Sequence, residues 1–132
     1  MGLKINKAEI QTSQTMTLQL VGEIDNNSSI VLDREISGIA EGAASAIILD
    51  MEKISFISSS GIGVIVKSQN TLKAKGAELT MINLQPQVKR VFEIMQLTPV
   101  LNVCESREEL DEYLRKIQDR IVEKGTSIYT EQ

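Results

Sequence analysis

Apolar and polar residues alternate partially along "LKINKAEIQT" and "MTLQLVGEI", two short segments joined by polar residues, and this pattern predicts the two strands of a hairpin. Behind them, "DNNSS" (Asp25 to Ser29) is rich in capping residues. Ile30, Val31, Arg34, Ile36 and Ile39 then carry enough helical spacing to predict an amphipathic helix ending near Gly42. "ASAIILDM" is a continuous apolar run, as expected of a central strand covered on both faces, and the run ends at Asp50. A loop carrying Ser58, Ser59 and Ser60 follows, and the second helix is expected to begin at these serines. From Gly61, the residues Ile62, Ile65, Val66, Gln69 and Leu72 fall largely on one helical face until Gly76, a C-cap, stops the pattern. "AELTMINL" reads as another strand. In "QPQVKRVFEIMQL", Pro86 stands near a helix start, with Val88, Val91, Phe92 and Met95 at helical spacing. A last strand, "VLNVC", leads to a helix in which Ser106 and Glu109 form a capping box and Leu110, Leu114, Ile117 and Ile121 stripe one face. That stripe docks on the parent core, or else it forms a dimer or partner-helix interface.

Two strands followed by alternating helices and strands predict an α/β domain whose later strands are parallel. One domain is expected over residues 1–124, with residues 125–132 as a frayed tail and no internal repeat or linker. Composition sharpens this. The chain is 42% hydrophobic but only 3% aromatic and has no Trp, so its core must be aliphatic. The net charge of −4 and the scattered Lys and Arg argue against nucleic acid as a partner. No apolar run has the length of a signal peptide or a membrane span, which predicts a cytoplasmic protein without direct membrane insertion.

Histidine is absent, so a Ser-His-Asp or Cys-His site cannot be assembled, and no serine has Lys three positions on. The chain is therefore expected to be no enzyme and to carry no cofactor. The single cysteine, Cys104, reads as a buried small apolar residue.

Three serines and a glycine at a strand-to-helix junction admit three readings. Serine caps helices, and Gly61 lets the backbone turn tightly, but one serine would suffice for that. Gly61 and Gly63 could flank a phosphate cradle, yet the Gly-Lys-Ser/Thr of a P-loop is missing and "GIG" does not complete Gly-x-Gly-x-x-Gly. Finally, a helix N-terminus that welcomes an anion tolerates a covalently attached one, so a phosphorylated serine could alter a binding surface while the fold survives. Asp25 is a helix cap or a partner contact. Asp50, with no acidic cluster beside it in sequence, reads as a turn residue at a strand end.

"FISSSGIGVIV", preceded by "AIILDMEKIS" and followed by "KGAELTMINLQPQVKRVFEIMQL", resembles the STAS domain of bacterial anti-sigma-factor antagonists. "GEID" at Gly22 to Asp25 also matches, and the likeness covers about Lys4 to Leu114. It implies a mixed, mostly parallel sheet of about five strands with an N-terminal hairpin, packed with about four helices. It also implies a cytoplasmic protein that binds an anti-sigma factor, itself a serine kinase, and so releases a sigma factor. Phosphorylation of the serine before the glycine breaks that complex, and a serine phosphatase restores it. The acceptor would then be Ser60, with Ser59 the less favoured neighbour. Asp25, Asn26, Asn27, Ser58, Ser59, Ser60, Gly61 and Ile62 would form the partner-binding surface. Base, nucleotide and Mg²⁺ would belong to the kinase. Ser58 stands where the family usually has Asp, which removes a carboxylate beside the acceptor. Other relatives act without phosphorylation, as scaffolds or subunits of sensory or transport-regulating complexes, and a constitutive module of that kind is the alternative.

Overall fold

The computed structural model describes residues 2–9, 15–42, 44–97, 101, 103–104, 108–112 and 115–116. Strands β1 (Leu3–Glu9) and β2 (Thr15–Ile24) pair antiparallel, forming the expected hairpin, and its connecting residues 10–14 lie outside the described ones. The chain continues through α1 (Asn26–Ala40), β3 (Ala46–Ile57), α2 (Ser59–Ala74), β4 (Glu78–Ile82), α3 (Pro86–Ile94) and β5 (Val103–Cys104). The sheet order is β1-β2-β3-β4-β5, with β2 to β5 parallel, and residues 108–112 and 115–116 add a fourth helical stretch.

Both faces of the sheet are covered, as the continuous apolar run in β3 requires. Leu18, Leu20, Ile47, Leu49, Leu79 and Met81 belong to one cluster with Leu32 and Ile36 of α1, Ile65 and Leu72 of α2, and Val88 and Phe92 of α3. Ile48, Ile82 and Cys104 pack with Leu110 in a second cluster. Period-two alternation along β3 and β4 accounts for the division. Cys104 is buried as expected, its Sγ 3.8 Å from Thr80 Oγ1, and burial pushes its thiol pKa up. Ser106, Leu114, Ile117 and Ile121, and with them the capping box and the rest of the C-terminal stripe, lie outside the described residues, as does the tail over 125–132. Among the described residues no helix is long and apolar enough to cross a membrane.

Four expectations need correction. First, β3 does not end at Asp50 but runs on to Ile57. Its pairing with β2 shifts register twice, between Gln19 and Val21 and between Gly22 and Glu23, each time with an extra residue on β3. Two such bulges turn the burial period from two to three: Met51, Ile54 and Ile57 are buried, with two exposed residues between each pair. Asp50 is accordingly no turn residue. It precedes the first bulge, where its Oδ1 accepts from the Glu52 amide at 3.1 Å and from Asn83 Nδ2 at 3.2 Å.

Second, the buried face of α1 is Ser28, Ser29, Leu32, Ile36 and Ala40, whereas Ile30 and Val31 are 54% and 48% exposed. The serine hydroxyls can be buried because they are satisfied locally. Ser29 Oγ donates to the Asn26 carbonyl at 2.9 Å, and Ser28 Oγ accepts from the Asp25 amide at 2.8 Å. Third, α2 starts at the serines as expected, at Ser59 with Ser58 as its cap, but Gly76 is not its C-cap. At its other end Lys75 is the C-cap, and Gly76 follows it with a left-handed φ of +78°. The amides of Gly76 and Ala77 donate to the carbonyls of Lys73 and Leu72 respectively, the five-to-two and six-to-one closure that glycine favours. Fourth, Met95 does not join the buried face of α3; it caps the helix end and is 47% exposed.

Helices α1 and α2 run parallel and meet along a seam with three polar rungs. Ser60 pairs with Asn26, Lys67 with Asp33 at 3.0 Å, and Lys75 Nζ donates to the Ala40 carbonyl at 3.1 Å. Successive rungs are about two helical turns apart, roughly 10 Å.

Candidate functional site

Strands β2 and β3 end side by side, Ile24 opposite Ile57, and the Ser58 amide donates to the Ile24 carbonyl at 2.7 Å. The next residue of each strand is a helix cap: Asp25 for α1 and Ser58 for α2. Two helix N-termini therefore open at one pole of the sheet, beyond the carboxyl ends of its strands. Binding sites of α/β sheets gather at that end.

At the first cap, Asp25 Oδ1 accepts from the Asn27 amide at 3.0 Å and the Ser28 amide at 2.8 Å. The Ser28 hydroxyl lies 2.9 Å from the same oxygen. The Ser28 backbone bond first, then its hydroxyl, hold the Asp25 carboxyl below its ordinary value. At the second cap, Ser58 Oγ accepts from the Gly61 amide at 3.1 Å. No acidic residue sits in the first turn of α2, so the positive end of its dipole carries no compensating side-chain charge.

The three serines divide their tasks. Ser58 is half-buried and committed to capping. Ser60 is exposed and donates to Asn26 Oδ1 at 2.9 Å, across 34 residues of sequence. Ser59 is exposed on another side of α2, where it lines an open groove of about 620 Å³ with Ile62, Val66, Met95 and Leu97. Asp25, Asn26, Asn27 and Ser58 line a separate cleft of about 290 Å³ together with Phe56. The sequence reading missed Phe56. It is 49% exposed at the end of β3, and it stands out in sequence only as one of two Phe in the chain, just ahead of the serines.

Gly61 and Ile62 face inward and seat this surface from beneath. Gly61 does not serve a tight turn, since it lies within α2 with no left-handed φ. A Cβ there would lie 2.6 Å from Ile24 Cγ2 and 2.9 Å from Ile57 Cγ1. Glycine is required because α2 begins directly on the ends of β2 and β3. Ile62 is 3% exposed and packs into the main core.

A family model described as STAS domain matches residues 6–110. The chain is 28% identical over 104 residues to a protein named anti-sigma F factor antagonist from Lysinibacillus sphaericus, covering 78% of this chain and 89% of that protein. It is 28% identical over 106 residues to the anti-sigma-B factor antagonist of Bacillus subtilis strain 168, covering 80% and 96%. Its fold is similar to that of the anti-sigma factor antagonist SpoIIAA in unphosphorylated form, with a TM-score of 0.71, 28% identity and coverage of 86% and 97%. The phosphorylated form of SpoIIAA, a Bacillus cell-fate determinant, gives a TM-score of 0.64 at 27% identity, with coverage of 83% and 99%. The match spans residues 6–110, from the hairpin through the twin-capped pole to Leu110, and makes this chain a member of the STAS domain family.

Proposed function

We propose that the protein is an anti-sigma-factor antagonist of the cytoplasm, a single regulatory domain that binds an anti-sigma factor through the pole around Ser60. Phosphorylation of Ser60 switches that binding off. The observation carrying this reading is the Ser60 hydroxyl, exposed at a helix N-terminus without acidic neighbours in its turn and bonded to Asn26 beside the Asp25 cap. The names of the similar proteins support the role, and the existence of SpoIIAA in two phosphorylation states supports the switch.

In the reaction, Ser60 Oγ attacks the γ-phosphorus of a nucleoside triphosphate held by the anti-sigma-factor kinase. The new Oγ–P bond forms as the bond to the β-phosphate oxygen breaks. The hydroxyl proton passes to a base on the kinase, and the nucleoside diphosphate leaves. This chain is the substrate and contributes no base. A phosphatase reverses the modification by hydrolysis. The phosphate brings about −1.5 to −2 charges, which the α2 dipole offsets, so the fold survives while a surface built for a neutral hydroxyl does not. Asp25, Asn26, Asn27, Phe56, Ser58 and Ser59 surround the acceptor; Gly61 and Ile62 hold it in place.

The test is peptide-level mass spectrometry after incubation with ATP, Mg²⁺ and lysate of the source cell, with Ser60→Ala alongside, and capture of the partner by wild type and Ser60→Asp. Phosphate on Ser60 that vanishes in Ser60→Ala, with capture lost in a folded Ser60→Asp, supports the switch. No phosphate on Ser58, Ser59 or Ser60 in an active lysate, with capture retained by Ser60→Asp, overturns it. That result would favour a constitutive module of a sensory or transport-regulating complex. Ser58 is the feature favouring this second reading, since a neutral hydroxyl caps α2 beside the acceptor where a carboxylate is usual in the family.

A further inference from the structure

We propose that Asn26 is a positioning residue that reads the chemical state of Ser60. Its carboxamide oxygen holds the neutral hydroxyl, and the same carboxamide, turned over, donates through Nδ2 to a phosphoryl group on that oxygen. This rests on Ser60 being the serine that is modified.

The contact is specific. Asp25, Asn26, Asn27 and Ser58 all line the cleft beside the serine, but the hydrogen bond from Ser60 goes to Asn26 Oδ1, at 2.9 Å. Asp25 and Ser58 are occupied with the amides of their own helices. Asn26 is the first residue of α1 and is exposed, and its Nδ2 donates to no described residue. A carboxamide carries an acceptor and two donors on one planar group. Its terminal torsion is broad and roughly two-fold, so a half-turn exchanges oxygen for nitrogen without moving the backbone. Phosphoserine has lost the hydroxyl proton, and as the dianion it presents acceptor oxygens only. Oδ1 facing it sets acceptor against acceptor, and the half-turn converts that repulsion into a charge-assisted hydrogen bond. The Asp33–Lys67 rung, about two helical turns further along, keeps α1 and α2 together while this happens.

Modification therefore changes two groups on the partner-facing surface. A phosphate is added, and the Nδ2 donor that the unmodified protein offers outward is withdrawn toward it. Neither change needs a movement of the fold.

The experiment uses the full chain with phosphoserine installed at position 60 during synthesis, so it requires no kinase. If Ser60 were never phosphorylated in the cell, the property of Asn26 would still be measurable, and the two failures remain distinct. Wild type, Asn26→Ala and Asn26→Asp are compared; the last keeps an acceptor for a neutral hydroxyl but has no donor for a phosphate. The phosphate is followed by ³¹P NMR against pH. Its second ionisation, ordinarily near pH 6, is expected roughly half a unit lower in wild type than in Asn26→Ala, because a donor favours the dianion. In Asn26→Asp it is expected highest. Asp25 at the α1 cap, and Asp33 and Lys67 along the seam, are common to all three proteins, so the differences report residue 26. In wild type, the Asn26 side-chain NH₂ resonances are expected to move downfield with the phosphate's titration and to stay still in the unmodified protein. Equal second ionisations in wild type and a folded Asn26→Ala, or NH₂ resonances that ignore the phosphate, overturn the proposal. Should a variant lose its fold, the wild-type NH₂ titration decides alone.

Discussion

Replacing Gly61 and Gly63 by alanine, one at a time, applies the same chemical change to two positions of α2 and is expected to give opposite signs. At Gly63 a Cβ meets nothing within 4 Å, and the residue is exposed. Alanine there gains helix propensity alone, worth about 0.5–1 kcal/mol. At Gly61 the added carbon would lie 2.6 Å from Ile24 Cγ2, 2.9 Å from Ile57 Cγ1 and 3.3 Å from the Ile24 carbonyl oxygen. Carbon atoms rest about 3.5–4.0 Å apart, so each isoleucine must yield by roughly 1 Å. Neither has room: Ile24 is 0% and Ile57 5% exposed, and the Ile24 carbonyl is tied to the Ser58 amide. Overpacking costs about 1–3 kcal/mol, and two contacts this short belong in the upper half of that range. The propensity gain offsets about 1 kcal/mol, leaving Gly61→Ala destabilised by about 1–2 kcal/mol. With a urea slope of roughly 1.5 kcal/mol per molar, its midpoint falls by about 1 M while that of Gly63→Ala rises by about 0.5 M. Urea unfolding followed by far-ultraviolet circular dichroism reads both. Midpoints that move in the same direction would refute the close-packing argument and leave Gly61 with no structural role beyond its helix.

Ser58→Ala is expected to lose about 1 kcal/mol of stability with its cap, whereas Ser58→Asp keeps the acceptor and adds a favourable charge at the α2 dipole. Urea midpoints for Ser58→Asp no lower than wild type, and clearly lower for Ser58→Ala, check this. Asp25 has a carboxyl pKa below its ordinary 3.8, so its charge contributes stability above that pH and the contribution is lost as pH falls through the depressed value. Asp25→Asn retains a capping oxygen without the charge, so its deficit relative to wild type is expected at pH 7 and should shrink below about pH 3.8. A deficit unchanged by pH would contradict the assignment. A double-mutant cycle of Asn26→Ala and Ser60→Ala in the unmodified protein should give a coupling of about 0.5 kcal/mol, at the low end for a hydrogen bond because both residues are exposed; strict additivity would count against the contact.

Much of the fold was legible because burial is periodic. The β2 strand, the continuous run of β3 and the helical spacing in α2 each impose a pattern that survives in the residues themselves. The misreadings occurred where tertiary structure breaks the period or hides a polar group. Two bulges replace alternation in β3 by a repeat of three, so the stretch after Asp50 looked like loop. Ser28 and Ser29 occupy the buried face of α1 because their hydroxyls bond the first turn, and a hydrophobicity pattern gives that place to Ile30 and Val31 instead. At the site, the serine cluster and Asp25 could be picked out by residue type. The pairing of Ser60 with Asn26 could not, since it depends on two strands ending at the same height. Gly61 was noticed for the wrong reason: its value lies in what an absent Cβ avoids, which only the neighbours Ile24 and Ile57 disclose.

The two extra residues in β3 also act as slack. From Asp50 to Ile57 β3 takes seven steps where β2 takes five from Gln19 to Ile24, yet the two strands end level, so that Ser58 can bond the Ile24 carbonyl. Removing one residue between Asp50 and Ile57 would abolish one bulge and leave Ile57 paired with Ile24, its side chain on the same face. Only once both surplus residues were gone would a further removal draw Ser58 away from the carbonyl, start α2 out of line with α1 and misalign the rungs at 26/60 and 33/67 together. Across this segment the register of the two helices should therefore survive the loss of one or two residues and fail at the third.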